Sequence, residues 1–275
     1  MFLSVVIPAY NEEKRLPDTL QKVRNYLNQK NITYEVIVVN DGSKDRMAQT
    51  IEPFINREDN LRLIDNKVNK GKGAVVKQGM LEAKGEWRLF MDADNSTDIS
   101  ELQKLLKFAN PKHEIPASPA GRRNPKPVSL SASRGGQIQN SESQIENLSY
   151  DIIIGSRYLD KSSIKIKQPL LRRIMSRAGN LLIRILLGIK SVDTQCGFKL
   201  FSAKAAQEIF PLQTIERWGF DMEILAIAIR KGYKIKEVPV DWYDAEGSQV
   251  KKSAALKTLK ELFLIKRNLM RGKYR

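Results

Sequence analysis

Asp92 and Asp94, one residue apart, follow a short apolar run at residues 87–91. At the end of a buried strand, both carboxylates can reach one hard cation by bending the chain. Mg²⁺ or Mn²⁺ held there would bridge a diphosphate and neutralise charge on a leaving group. Asp-x-Asp also suits an ordinary surface turn, so the tripeptide alone decides little. Asp41-Gly42-Ser43 closes a second apolar run, residues 35–39. Its carboxylate can accept from a base N–H or a ribose hydroxyl; the plainer alternative is a turn with Asp45 capping a helix. Pro8-Ala9-Tyr10-Asn11-Glu12 ends the first run. Tyr10 offers a ring for stacking and Glu12 a ribose partner, unless Asn11 is simply a helix cap. Asn69-Lys70-Gly71-Lys72-Gly73 precedes a helical pattern. Its glycines and the helix N-terminus suit phosphate oxygens, and Lys72 can pair with them. The spacing is not that of a Walker A loop.

These residues need elements that bring them together. Residues 3–7, 35–39, 61–64 and 87–91 read as buried strands. Helical spacing occupies 12–28 (Leu16, Leu20, Val23 and Leu27), a short stretch around Ile51 and Phe54, 73–83, and 98–110. Alternation of this kind predicts a mostly parallel sheet covered on both faces. Such sheets bind ligands at the carboxyl ends of their strands. Residues 111–149 hold five of the eleven prolines and few apolar side chains, and read as a disordered insertion. A strand resumes at residues 152–154, followed by Gly155-Ser156-Arg157. A basic amphipathic helix or helix pair follows at 169–189, a buried helix at 220–230, a strand at 234–242, and a basic C-terminal helix. The expected organisation is a first half at 1–110, the insertion at 111–149, a second half of the same domain at 150–250, and the C-terminal amphipathic helix at 251–275.

The ordered set of strand-end groups resembles the nucleotide-binding half of family 2 glycosyltransferases, which have the Rossmann-like GT-A fold. VDTQCGFKLF (192–201), ERWGFDMEIL (216–225) and EVPVDWYDAEGSQV (237–250) are similar to the dolichyl-phosphate β-glucosyltransferase branch, among the polyprenyl-phosphate glycosyltransferases. The resemblance covers nearly all of the chain outside the insertion. It implies that Pro8, Tyr10, Glu12 and Asp41 hold the nucleoside, and that Lys72 sits near the nucleotide or its phosphates. Asp92 and Asp94 would bind the metal and diphosphate, and Arg157 would neutralise phosphates of donor or acceptor. Asp193, Gln195, Lys199, Trp218, Asp221 and Glu223 would line the pocket for donor sugar and acceptor. Asp221 and Glu223 have three readings: ligands for sugar hydroxyls, a catalytic base, or buried acids that pair with Arg217 or cap a helix. The loop around Gly247-Ser248, with Lys251 and Lys252, would close over the diphosphate. Two departures stand out: Asn40 replaces the first Asp of the commoner Asp-Asp-Gly-Ser, and Gln249 stands where the branch often has Lys. The implied activity is inverting transfer of a hexose, glucose from UDP-glucose, to a polyprenyl or dolichyl phosphate. A mannosyltransferase using GDP-mannose and a transferase acting on a soluble glycan are the alternatives.

The net charge of +16 is concentrated in two blocks. Residues 161–190 carry eight Lys/Arg and no acid, and residues 251–275 carry nine against Glu261 alone. The blocks fit an anionic membrane surface. They lack the interleaved aromatics of a nucleic-acid reader, so nucleic acid is not an expected partner. A sugar-phosphate nucleotidyltransferase would carry a glycine-rich loop after the first strand, which this chain does not. The stretch 181–189 is far short of the roughly 20 residues of a spanning helix. No signal peptide is evident, and Cys196, the single cysteine, allows no internal disulfide. The expectation is a cytoplasmic protein attached peripherally to the cytoplasmic face of a membrane. Cys196 is expected to be a packing residue, and His113 has no assigned role.

Overall fold

Alternation of side chains between two faces decides where each strand of this protein sits. The computed structural model describes residues 1–30, 32–57, 59–109, 149–160, 170–243 and 254–275. In β1 (Leu3–Ala9), Leu3, Val5, Ile7 and Ala9 enter one apolar cluster and Val6 the opposite one. In β2 (Tyr34–Asp41), Tyr34, Val36 and Val38 face the first cluster, and Ile37 and Val39 the second. A strand buried on both faces is what a parallel sheet covered by helices requires.

The remaining strands are β3 (Leu61–Asn66), β4 (Trp87–Met91), β5 (Ile152–Ser156), β6 (Phe198–Ser202) and β7 (Ile235–Pro239). They form one seven-stranded sheet in the order β3-β2-β1-β4-β6-β5-β7. β6 is antiparallel to both its neighbours, and the other pairings are parallel. Strands from both halves of the chain therefore share one sheet.

Helices α1 (Leu16–Asn28), α2 (Met47–Ile55) and α4 (Leu102–Ala109) cover the first face. The second face is covered by α3 (Lys72–Glu82), α6 (Ala203–Ile209) and α7 (Phe220–Arg230). Beyond them lie α5 (Leu170–Leu187) and α8 (Ala254–Met270), which touch each other. α8 joins the second cluster through Leu262 and Ile265, and α5 joins it through Ile183 and Leu187.

Two expectations change, and a third falls outside the described residues. α1 starts at Leu16 rather than at residue 12, because Asn11 adopts φ +56° and Arg15 folds back onto Glu12, closing a turn. β6 and α6 were not foreseen: the five residues of β6 include Lys199, which breaks the apolar pattern yet is fully buried. The insertion at 111–149 lies outside the described residues except for Ser149.

α3 approaches β1 and β2 closely because Gly79 has no side chain. A Cβ there would lie 2.4 Å from Val6 Cγ1 and 2.9 Å from Val39 Cγ2. Gly79→Ala is expected to destabilise the fold by about 1–3 kcal/mol despite the better helix propensity of alanine. A lowered urea midpoint with an unchanged slope would show it.

Candidate active site

Parallel strands present their carboxyl ends at one edge, and β6, running the other way, brings the residues before it to that edge. Asp92 donates its N–H to Gly197 O at 3.1 Å, fixing the junction between β4 and the turn into β6. The loops at this edge are stitched to one another. Asn11 donates its N–H to Ser43 Oγ (2.9 Å), and Asn11 Oδ1 accepts from Lys44 N (2.8 Å). Glu13 N donates to Asp45 Oδ2 and Arg46 N to Glu13 Oε2, each at 2.9 Å. Asn40 accepts from Ser43 N (2.9 Å) and Ser43 Oγ (2.6 Å) and donates to Asp65 Oδ1 at 2.7 Å. This explains the departure at residue 40. An amide can face both Ser43 and Asp65, whereas a carboxylate would meet Asp65 as a like charge.

Asp41 is buried and accepts from Lys70 N (2.7 Å), Gly71 N (3.0 Å) and Asn69 Nδ2 (2.9 Å). Burial holds its pKa above the ordinary value despite these donors. Gly71 is required there: its φ is +113°, and a Cβ would lie 2.6 Å from Glu216 O. Ala74 N donates to Glu216 O at 3.0 Å. The phosphate cradle expected at residues 69–73 is thereby narrowed, since part of its backbone donates inside the protein. The N–H groups of Lys70, Gly71 and Ala74 are taken up within the protein, and the Lys72 side chain turns to Asp92.

The Lys72 ammonium pairs with Asp92 Oδ1 and lies 5.7 Å from the centre of the Trp218 ring. Burial pushes the Lys72 pKa down, but Asp92 and Asp221 outweigh it and the net direction is up. The Asp92 carboxylate rests on the bare Cα of Gly197, where a Cβ would stand 2.1 Å from Oδ2. Asp94 accepts from Ser96 N at 3.0 Å, and Thr19 Oγ1 donates to Ala93 O at 2.7 Å, so α1 braces the turn. Both carboxylates are half-buried. They fit a hard divalent cation, with the glycine cradle shaped to Asp92. Among the described residues no group of three potential ligands could hold an ion alone. Such an ion would complete its oxygen shell from a bound diphosphate and water. A cavity of about 650 Å³ opens beside Asp94, lined by Arg15, Thr19, Ser96, Asp241 and Tyr243 among others.

The other predicted residues fall into distinct surroundings. Tyr10 is half-buried at the tip of β1, whereas Pro8 is buried within the ladder opposite Val39. Glu12 is gripped by Arg15 through bonds of 2.7 and 2.6 Å; burial raises its pKa and Arg15 opposes the rise. Asp193 is fully buried and accepts from Arg157 N (3.0 Å), Nε (2.7 Å) and Nη2 (2.8 Å). The Arg157 guanidinium sits 5.3 Å from the Tyr158 ring and 5.4 Å from the Trp242 ring. Burial pushes Asp193 up, but the Arg157 charge outweighs it and the net direction is down. Lys199, fully buried, pairs with Asp221 and donates to Cys196 O at 2.6 Å. Burial raises the Asp221 pKa, with Lys199 and Lys72 pulling against it. Burial also pushes the Cys196 thiol up to about 12, so it is an inert packing residue. Gln195 is exposed at the edge.

Glu223 requires a correction. It is fully buried and accepts from Thr214 N (2.9 Å), Thr214 Oγ1 (2.6 Å), Ile215 N (2.7 Å) and Tyr274 OH (2.6 Å). Four donors occupy its lone pairs, so it braces the chain before α7 rather than serving as a base or sugar ligand. Lys251, Lys252, Gly247, Ser248, Gln249 and His113 lie outside the described residues. The contacts made by Arg15, Asn69, Glu237 and Glu261 were not foreseen. Glu237 accepts from Val192 N (2.9 Å) and Asp193 N (2.8 Å). Arg15 alone had a readable signal, its spacing of three from Glu12.

A carboxylate pair at the carboxyl edge of a Rossmann-like sheet, one of the two paired with a lysine, is the arrangement of a GT-A glycosyltransferase. Residues 4–128 match the family model described as glycosyl transferase family 2. The chain is 35% identical over 272 residues to a dolichyl-phosphate beta-glucosyltransferase of Trichomonas vaginalis, covering 96% of this chain and 73% of that one. It is 34% identical over 283 residues to the human dolichyl-phosphate beta-glucosyltransferase, covering 99% and 77%. Glucosyl-3-phosphoglycerate synthase from Mycobacterium tuberculosis, solved with Mn²⁺, UDP-glucose and phosphoglyceric acid, shares the fold. Its TM-score is 0.60 at 14% identity, over 96% of this chain and 79% of that one. This chain belongs to glycosyltransferase family 2.

The Arg157–Asp193 pair yields a prediction with a defined sign. Asp193→Asn leaves a mostly buried guanidinium without its counter-charge, which is expected to cost about 3 kcal/mol at neutral pH. With its folded pKa lowered, Asp193 stabilises the protein above its ordinary value of 3.8, and that contribution is lost as pH falls below it. Denaturation curves of wild type and variant should therefore differ at neutral pH and converge in acid.

Proposed function

We propose that this protein transfers glucose from UDP-glucose to dolichyl phosphate, or a related polyprenyl phosphate, with inversion, at the cytoplasmic face of a membrane. The observation that carries the reading is the meeting of Asp92, Asp94, Lys72 and Trp218 at the carboxyl edge of the sheet. The names of the relatives supply the sugar and the acceptor.

Asp92 and Asp94 would hold Mg²⁺ or Mn²⁺, which supplies a Lewis acid for the departing diphosphate. Lys72 adds a positive charge next to the same phosphates. Tyr10 and Asp41 border the nucleoside end, with Glu12 beside them and Pro8 shaping the strand tip. Arg157 would serve as a cation for a donor or acceptor phosphate, and Asp221 would order the sugar side of the site. Lys251 would close over the diphosphate from its loop. The acceptor phosphate is already an anion at neutral pH and needs no base. Its oxygen bonds to the anomeric carbon as the bond from that carbon to the diphosphate oxygen breaks, and the electron pair leaves with UDP. Positioning and charge stabilisation are the enzyme's tasks.

The lipid side falls on α5 and α8. Leu181, Leu182 and Ile185 of α5 and Leu259, Phe263 and Met270 of α8 are exposed. Exposed Arg184, Lys190, Lys257, Lys260, Arg267, Arg271 and Lys273 accompany them. An apolar face with cations beside it matches an anionic lipid surface, each nearby cation contributing about 1 kcal/mol. Among the described residues no helix is long and apolar enough to cross a membrane.

The test of the reaction incubates the protein with radiolabelled UDP-glucose, Mg²⁺ and a short polyprenyl phosphate. Label is expected in the organic phase, reduced by roughly 100-fold or more in Asp94→Ala. Label only in a water-soluble product, or turnover with GDP-mannose alone, overturns the assignment. A second test concerns the surface. Vesicles rich in phosphatidylserine are expected to float the wild type and not the Ile185→Asp/Phe263→Asp variant. Equal flotation of both would remove α5 and α8 from the lipid contact.

A further inference from the structure

The segment between α6 and α7 lies between two helices that belong to different ends of the proposed reaction. On one side it covers the start of α3. Ala74 N donates to Glu216 O (3.0 Å), Gln213 Nε2 donates to Gly73 O (2.9 Å), and Lys77 Nζ donates to Gln213 O (2.9 Å). Trp218 stands by the Lys72 ammonium that pairs with Asp92. On the other side the segment is held at both ends by the C-terminal helix and its tail. Glu261 Oε2 accepts from Gly219 N at 2.7 Å, the residue directly after Trp218. Glycine lets the helix come close, since a Cβ on Gly219 would lie 2.8 Å from Glu261 Cβ as well as 2.7 Å from its Oε2. At the other end, Glu223 holds Thr214 and Ile215, and Tyr274 fixes Glu223. The Tyr274 hydroxyl donates to Glu223 Oε1 at 2.6 Å and accepts from Asn268 Nδ2 at 3.1 Å. Tyr274 is only 1% exposed although it follows the last turn of α8.

We propose that Glu261 and Tyr274 are positioning residues for the donor site. Through Gly219 and Glu223 they clamp residues 214–219, so that Trp218 and Lys72 keep one arrangement against the diphosphate-sugar end of the donor. Neither residue reaches the site itself. Glu261 is the sole acid in the basic block at 251–275, and it faces inward on the helix whose Leu259 and Phe263 face out. The inference rests on the assignment of the edge around Asp92 as the nucleotide-sugar site.

The experiment combines steady-state kinetics in the donor with calorimetric binding of UDP in Mn²⁺. Glu261→Ala is expected to raise the donor KM and the UDP Kd by roughly five- to tenfold, as expected for one lost charge-assisted hydrogen bond, with kcat within about twofold. Glu261→Gln keeps a carbonyl oxygen for Gly219 N–H and should restore both values. Tyr274→Phe should move them in the same direction as Glu261→Ala. A purely structural role would instead lower kcat through a smaller folded fraction and leave KM unchanged. Unchanged KM and Kd in Glu261→Ala and Tyr274→Phe, or a Glu261→Gln no better than Glu261→Ala, would overturn the proposal while wild-type UDP binding stands. Where Glu261→Ala does not fold, Glu261→Gln and Tyr274→Phe decide it alone: a normal KM in Glu261→Gln with a raised KM in Tyr274→Phe supports the clamp, and any other pair overturns it. Wild-type protein that binds no UDP in Mn²⁺ would bring down the site assignment itself, and the clamp with it.

Discussion

Carboxylates gathered at one edge of a sheet repel one another, and the structure answers by giving most of them a cation of their own. Glu12 has Arg15, Asp92 has Lys72, Asp193 has Arg157 and Asp221 has Lys199. Burial and pairing do not win equally. Around Asp193 the arginine overcomes desolvation and the pKa falls; around Asp221 desolvation prevails over two lysines and the pKa rises. Three oriented donors from one arginine, counting its own backbone N–H, account for the difference. Asp94 is treated otherwise. Among the described residues it forms no ion pair, and it accepts from the Ser96 N–H. Under the proposed function a divalent ion would supply the missing positive charge.

That balance depends on the antiparallel strand. Parallel strands run to the edge, so each contributes the residues at or just after its end: Tyr10, Asp41, Asp92 and Arg157. β6 enters from the edge, so it contributes the residues that precede it, among them Asp193, Cys196 and Gly197. Gly197 gives Asp92 room to lie flat, and Asp193 neutralises Arg157 from the far side. An all-parallel arrangement would place this run at the opposite edge, where it could do neither.

Much of this was readable in the sequence, for identifiable reasons. β4 and α7 have the bounds the apolar pattern suggested, because both elements are buried nearly throughout. The strand-end groups were legible because the carboxyl edge of a parallel sheet makes their positions recur after each apolar run. What was hidden depended on pairs distant in sequence. Lys199 reads as a polar interruption until Asp221, 22 residues away, is placed against it. Glu223 reads as a candidate base until Thr214, Ile215 and Tyr274 are seen to occupy it. Asn40 reads as a defect in a motif until Asp65 appears across the neighbouring strand. No periodicity in one segment encodes any of these contacts.

A catalyst joining a water-soluble nucleotide sugar to a lipid anion faces a geometric demand. Its polar edge must sit within reach of a surface that also tolerates apolar contact. Here the acidic edge and the basic helices are separate in sequence and composition, yet one short segment touches both. Residues 214–219 meet α3 through Glu216 and α8 through Gly219. The segment has little regular secondary structure of its own, so its shape is dictated by what grips it. Under the proposed reading, the acid kept at position 261 in a strongly basic helix follows from that: it faces a backbone N–H rather than a lipid headgroup, and a lysine there could not accept the bond.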